Sequence, residues 1–101
     1  MKFDNLISKM TQAIVRGNGR EASECFALNG AYHDVFYGVF RRPDIPDMVE
    51  KYFHRDASNF IWDIFDPVSV GSIGYARYVF SYDSELKGCE GRRAVFEGIA
   101  R

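Results

Sequence analysis

The chain has 101 residues, a formal net charge of −1, 47% hydrophobic residues and 16% aromatic residues. That describes one small domain, with enough apolar side chain for a single core and too much for a disordered segment. Near-neutral, interspersed charge leaves no footprint for nucleic acid or an anionic membrane, and no apolar run approaches the ~20 residues of a bilayer-spanning helix.

The opening Met1-Lys2-Phe3-Asp4-Asn5 lacks the apolar centre of a secretion signal, so the expected location is cytoplasmic. Cys25 and Cys89 form no motif and are read as free thiols in a reducing compartment. Phe3, Leu6, Ile7, Met10, Ala13 and Ile14 recur at spacings of three and four, which predicts an amphipathic helix over Lys2–Arg16. Gly17-Asn18-Gly19 ends it, with a glycine supplying the left-handed terminal conformation. A second helix is expected over Arg20–Leu28, capped by Asn18, with Ala22, Cys25 and Phe26 inward. Ala31–Phe36 reads as a short strand, after which Gly38 turns the chain.

The third helix has Asp44 as its expected cap, Pro46 in the first turn, and Ile45, Met48, Val49, Tyr52 and Phe53 inward. Three strands follow, over Asn59–Val70, Ile73–Tyr82 and Arg92–Arg101, joined by a turn at Val70–Ile73 and a longer one at Ser84–Gly91. Pro67 lies inside the first of them and demands a bulge or an edge. The order is α-α-β-α-β-β-β, an α+β domain in which helices cover one face of a curved antiparallel sheet.

Parity predicts which face is covered. With Tyr82 across from Trp62 and from Ala94, one face carries Trp62, Ile64, Tyr78, Phe80, Tyr82, Phe96 and Gly98. The other mixes Phe65, Val79, Val95 and Ile99 with Asp63, Arg77, Arg93 and Glu97. It is too apolar for open water and too charged for a core, which predicts a partner subunit.

The segment Phe26–Asp34, followed by Gly38 and the capped third helix, resembles the nuclear transport factor 2-like superfamily, which includes ketosteroid isomerases and SnoaL-like cyclases. The resemblance covers nearly the whole chain and rests on element order, not on a single motif. It implies a cone, a bent sheet wrapped over three helices, with a pocket at the open end. It singles out Asp34, which falls where ketosteroid isomerases carry the aspartate that moves a proton beside a carbonyl. Walls of Tyr32, Trp62 and Phe80 would make such a carboxylate a stronger base; the plainer alternative is a strand-end aspartate hydrogen-bonded within its own turn. Tyr32, Trp62, Tyr78, Phe80 and Phe96 are the expected ligand-contacting residues, although residues such as Trp62, Tyr78 and Phe96 on one sheet face are more often core.

Two departures bear on activity. Met10 stands where ketosteroid isomerases have a donor tyrosine, and their second acid aligns with Gly98 or with Glu97 on the opposite face. Each missing oxyanion donor removes roughly 3–4 kcal/mol of transition-state stabilisation, so ketosteroid isomerisation is not expected. His33 should point away from the pocket, and His54 should be structural. His33 and Asp34 lack a third ligand, so no metal or other cofactor is implied. Family members usually continue into a further strand; here the chain stops at Arg101, so the expectation is a C-terminally truncated member whose open edge associates as a homo-oligomer. The function reading is therefore a small-molecule pocket protein, binding an apolar ring-bearing ligand or doing acid–base chemistry on it through Asp34. Its alternatives are a non-catalytic oligomerising scaffold and a truncated copy without activity.

Overall fold

The computed structural model describes residues 2–86 and 92–101. The centre of the expected long turn, with Cys89, lies outside these residues. Helix α1 (Phe3–Arg16) and helix α2 (Gly19–Glu24) are followed by strands β1 (Ala31–Asp34) and β2 (Gly38–Arg41). A 3-10 turn over Arg42–Asp44 leads into α3 (residues 45–56), whose middle, Met48–Phe53, is π-helical. Then come β3 (Ala57–Val70), β4 (Ile73–Ser84) and β5 (Arg93–Ala100). The class is α+β, with antiparallel sheets β1-β2 and β3-β4-β5.

The helix punctuation follows the local chemistry. Gly17 is left-handed at φ 77°, Asn18 N–H donates to the Ala13 carbonyl, and Gly17 N–H donates to that of Ile14, which satisfies the last carbonyls of α1. Asn18 Oδ1 then accepts from Glu21 N–H at 3.1 Å and starts α2. Three expectations need correction. Helix α2 ends at Glu24, four residues early, because the chain folds back through the Gly30 N–H to Ala27 carbonyl bond. Asp44 makes no side-chain capping bond; the preceding 3-10 turn supplies the lead into α3 instead. The segment after Gly38 is a strand, β2, pairing Tyr32 with Phe40 and Asp34 with Gly38.

The core lies between α1, α2, α3 and the larger sheet. Ile14, Ile45, Met48 and Val49 are fully buried, with Ala13, Ala22, Phe53 and Trp62 beside them. Each such large aliphatic side chain contributes roughly 1.5–3 kcal/mol by leaving water. His54 Nε2 donates to the Ile14 carbonyl at 2.8 Å, tying the end of α3 to the last turn of α1. At the α2–α3 crossing, a Cβ on Gly19 would stand 2.6 Å from Pro46 Cα. Gly19→Ala is therefore expected to destabilise the protein by about 1–3 kcal/mol, read as a lower urea midpoint at unchanged slope.

The register of the large sheet corrects one expectation and explains another. β4 and β5 pair Tyr82 with Ala94, Phe80 with Phe96 and Tyr78 with Gly98. On the other side, Trp62 opposes Phe80, not Tyr82. The difference is two residues, so every side chain keeps its face. The two-residue loop Gly71-Ser72, with Gly71 at φ 59°, closes Val70 against Ile73. Continued unbroken, that register would set Trp62 against Ser81 and mix the faces. A bulge between Phe65 and Val68, at Asp66-Pro67, shifts the pairing by one residue and restores the match. A second bulge lies between Ser58 and Ile61.

Both bulges contain a residue at positive φ, Asp66 at 51° and Asn59 at 53°, and each is held from a neighbouring strand. Arg77 Nη2 donates to Asp66 Oδ2 at 2.7 Å. Arg93 Nη1 donates to the Asn59 carbonyl at 2.6 Å, while Asn59 Nδ2 donates to Asp83 Oδ2 at 2.7 Å. Short polar side chains tolerate this conformation, and the added bonds fix it.

Candidate functional site

A cavity of about 1180 Å³ opens between α1, the β1–β2 hairpin, the end of α3 and the inner face of the large sheet. The sheet contributes Trp62, Tyr78, Phe80, Tyr82 and Phe96. Their placement follows from strand alternation: each lies on the face turned toward the helices. Trp62 and Phe80 rings lie 4.6 Å apart, Tyr78 meets Trp62 edge-on at 6.3 Å, and Tyr82 stacks on Phe96 at 5.9 Å. Pairs of this geometry fix ring orientation as well as burying area. Gly98, opposite Tyr78, leaves room for that ring; a Cβ there would stand 2.8 Å from the Tyr78 hydroxyl. Tyr32 enters from β1, edge-on to Phe26 and to Phe53.

Asp34 also lines the cavity, at the end of β1. Its Oδ2 accepts from the backbone N–H groups of Phe36 and Tyr37, both at 2.9 Å. The carboxylate thus organises its own turn while standing at the cavity wall. His33 is exposed. Met10 borders the cavity and Glu97 pairs with Val79 on the outer face. Among the described residues, no group of three His, Cys, Asp or Glu side chains is placed to hold a metal ion. No helix of the described residues is long and apolar enough to cross a membrane.

The sequence reading missed a polar cluster at the same wall. Tyr37 Oη donates to Asp56 Oδ2 at 2.6 Å, and Arg55 donates to both Asp56 oxygens at 2.6 and 2.8 Å. Arg55 also lies over the Tyr52 ring, 5.4 Å from its centre. The Arg55 guanidinium, aided by the Tyr37 hydroxyl, holds the Asp56 carboxyl below the usual carboxylate range. Burial, and then donation to Asp56, pushes the Tyr37 phenol up. Burial, then the nearby Asp34 carboxylate, does the same to Tyr32 and to Tyr82. These phenols stay neutral near pH 7 and act as hydrogen-bonding groups, not as anions. Tyr37 and Asp56 are 19 residues apart, and no local pattern announces the pair.

A depressed folded-state carboxyl stabilises the fold above its unfolded value and ceases to do so as pH falls through the folded value. Asp56 should therefore cost stability only below its ordinary value of 3.8. Asp56→Asn is expected to flatten the acid limb of stability against pH, followed by urea melts from pH 5 to pH 2. Tyr37→Phe should cost about 1 kcal/mol at pH 7 and leave the core melt otherwise unchanged.

No protein-family model and no curated protein sequence matches this chain. Solved structures do. A ketosteroid isomerase-like protein from Erwinia carotovora atroseptica superposes with a TM-score of 0.72 at 8% identity, covering 95% of this chain and 76% of that one. A protein of unknown function from Mycobacterium tuberculosis superposes with a TM-score of 0.66 at 16% identity, covering 95% of this chain and 56% of that one. The fold is ketosteroid isomerase-like. At such identities the ketosteroid isomerase-like neighbour establishes the architecture alone and carries no activity across.

Proposed function

We propose that this chain is a small-molecule pocket protein that takes an apolar, ring-bearing ligand into its aromatic cavity. The observation that carries the reading is the cavity itself, about 1180 Å³ and walled by Tyr32, Trp62, Tyr78, Phe80 and Phe96. A concave, mostly apolar site with a few convergent polar groups is where ligands bind. Asp34 is the candidate general base for acid–base chemistry on such a ligand, because it stands at the wall with one oxygen engaged by the turn. Ketosteroid isomerisation itself is not proposed: Met10 cannot donate to an enolate oxygen, and Glu97 lies on the outer face.

The test is a thermal-shift series with four-ring steroid and aromatic polyketide probes on the full chain. A ligand at about tenfold excess over its Kd adds about 1.4 kcal/mol, and each kcal/mol raises Tm by about 4–8 °C for a domain of this size. Asp34→Asn separates the roles: it should leave binding in place and abolish any turnover. Flat melting temperatures across the whole series would remove the pocket reading.

A second reading, a non-catalytic self-associating scaffold, draws on the outer sheet face. Val95 is 60% and Ile99 72% exposed there, with Ile61, Phe65 and Val68 on β3 of the same face. Asp63, Glu97, Arg77 and Arg93 are interspersed among them, so a second copy turned by a two-fold axis would meet both signs of charge. Sedimentation at micromolar concentration tests it: a dimer that Val95→Asp with Ile99→Asp dissociates supports the scaffold, and a folded monomer refutes it.

A further inference from the structure

We propose that the ligand is a ring-bearing amine, bound as its ammonium ion against Asp34; this deepens the pocket reading above and rests on it. Tyr32 and Asp34 alternate onto the face of β1 turned to the cavity, and His33 between them is exposed. Asp34 Oδ2 is taken up by the N–H groups of Phe36 and Tyr37, both at 2.9 Å, and among the described residues no donor reaches Oδ1. That oxygen is not sealed in. Among the described residues only Trp62 Nε1 is both buried and unpartnered, and Asp34 is half-buried in the cavity wall. Burial, and then the Asp34 charge, raise the phenols of Tyr32 beside it and of Tyr82 across on β4, so the carboxylate is felt on two sides of the hollow.

The other charges along the described wall do not offset it. Asp56 is already matched by Arg55 at 2.6 Å. Arg101 follows the far end of β5, about 15 Å from Phe96 at the rise of a strand. Phe96 belongs to the Asp34 end, where Phe36 of the Asp34 turn meets it edge-on at 5.4 Å. What stands here is one unbalanced negative charge among the rings of Phe36, Phe60, Tyr82 and Phe96. A wholly apolar ligand filling this end would strip the water from Oδ1 and put nothing in its place, which is costly. An anion would meet a like charge. A hydroxyl would supply a hydrogen bond and leave the charge unbalanced. An ammonium supplies a charge-assisted bond, balances the carboxylate and is attracted by ring faces.

Naphthylmethylamine, naphthylmethanol and naphthoate carry a cation, a neutral donor and an anion on one ring system. Equilibrium dialysis near pH 7 against the full chain and against Asp34→Asn measures all three. The unaltered chain should bind the amine about tenfold more tightly than the alcohol, and the carboxylate least. In Asp34→Asn the amide oxygen still accepts the two turn N–H groups, and an NH2 replaces the free oxygen. The preference for the amine should vanish there while the alcohol still binds. The ranking on the unaltered chain stands as a test even if the variant fails to fold. An alcohol or carboxylate bound as tightly as the amine, or an amine preference that survives Asp34→Asn, would overturn the inference while sparing the pocket. Binding of none of the three would overturn both.

Discussion

Deletion of Pro67 is expected to leave the chain folded at a cost of about 0.5–3 kcal/mol, and Pro67→Ala costs about 0.4–1 kcal/mol. The deletion takes away the bulge and keeps the register. Asp66 and Pro67 together oppose Ala76, and with Pro67 gone Asp66 faces Ala76 alone. From Val70 against Ile73 the ladder then runs unbroken to Phe65 against Arg77 and Trp62 against Phe80, so every side chain keeps its face. What is lost is the extra residue that bends the strand, and the left-handed Asp66 that Arg77 holds. Far-ultraviolet circular dichroism and a urea melt on both variants decide it; loss of the cooperative melt for the deletion would mean that the fold needs the bend itself.

Ile14→Ala should destabilise the protein by about 2–5 kcal/mol, one of the largest effects available to a single truncation here. Ile14 is fully buried in the cluster with Ala22, Ile45, Met48 and Val49, where the space left behind cannot fill. Met10→Ala, four residues earlier on α1, removes a side chain that borders the cavity. Its loss merely enlarges a space already present and should cost about 1 kcal/mol. The ratio of the two urea-midpoint shifts measures where the solid core ends and the open chamber begins. Similar losses for both variants would place Met10 in closed packing.

The aromatic run on β4 shows what the sequence made legible. Tyr78, Phe80 and Tyr82 alternate with Arg77, Val79 and Ser81, so their common face could be read from period alone, and Pro67 announced a bulge or an edge, both of which β3 has. The partner of Trp62 could not be read, because it depends on how many residues the bulge adds. Strand β2 was hidden for a different reason. It has four residues, and Val39 is exposed, so it shows no inward stripe. The Asn18 cap was visible as a local motif, whereas Asp44 looked like a cap and makes no such bond. At the cavity, residues carried by strand alternation could be placed on a face. Asp56 could not, since it sits at the end of α3 and acquires its role from Tyr37 and Arg55 in three dimensions.

Strand β3 has 14 residues and lies beside 12 of β4. The surplus is the two bulge residues, and a longer strip bonded to a shorter one has to bend. Girth of the hollow is thereby set in whole-residue steps rather than by gradual adjustment of angles. Inserting or removing one residue on a single ribbon would resize it at a stroke, while point substitutions on the lining can only retouch it.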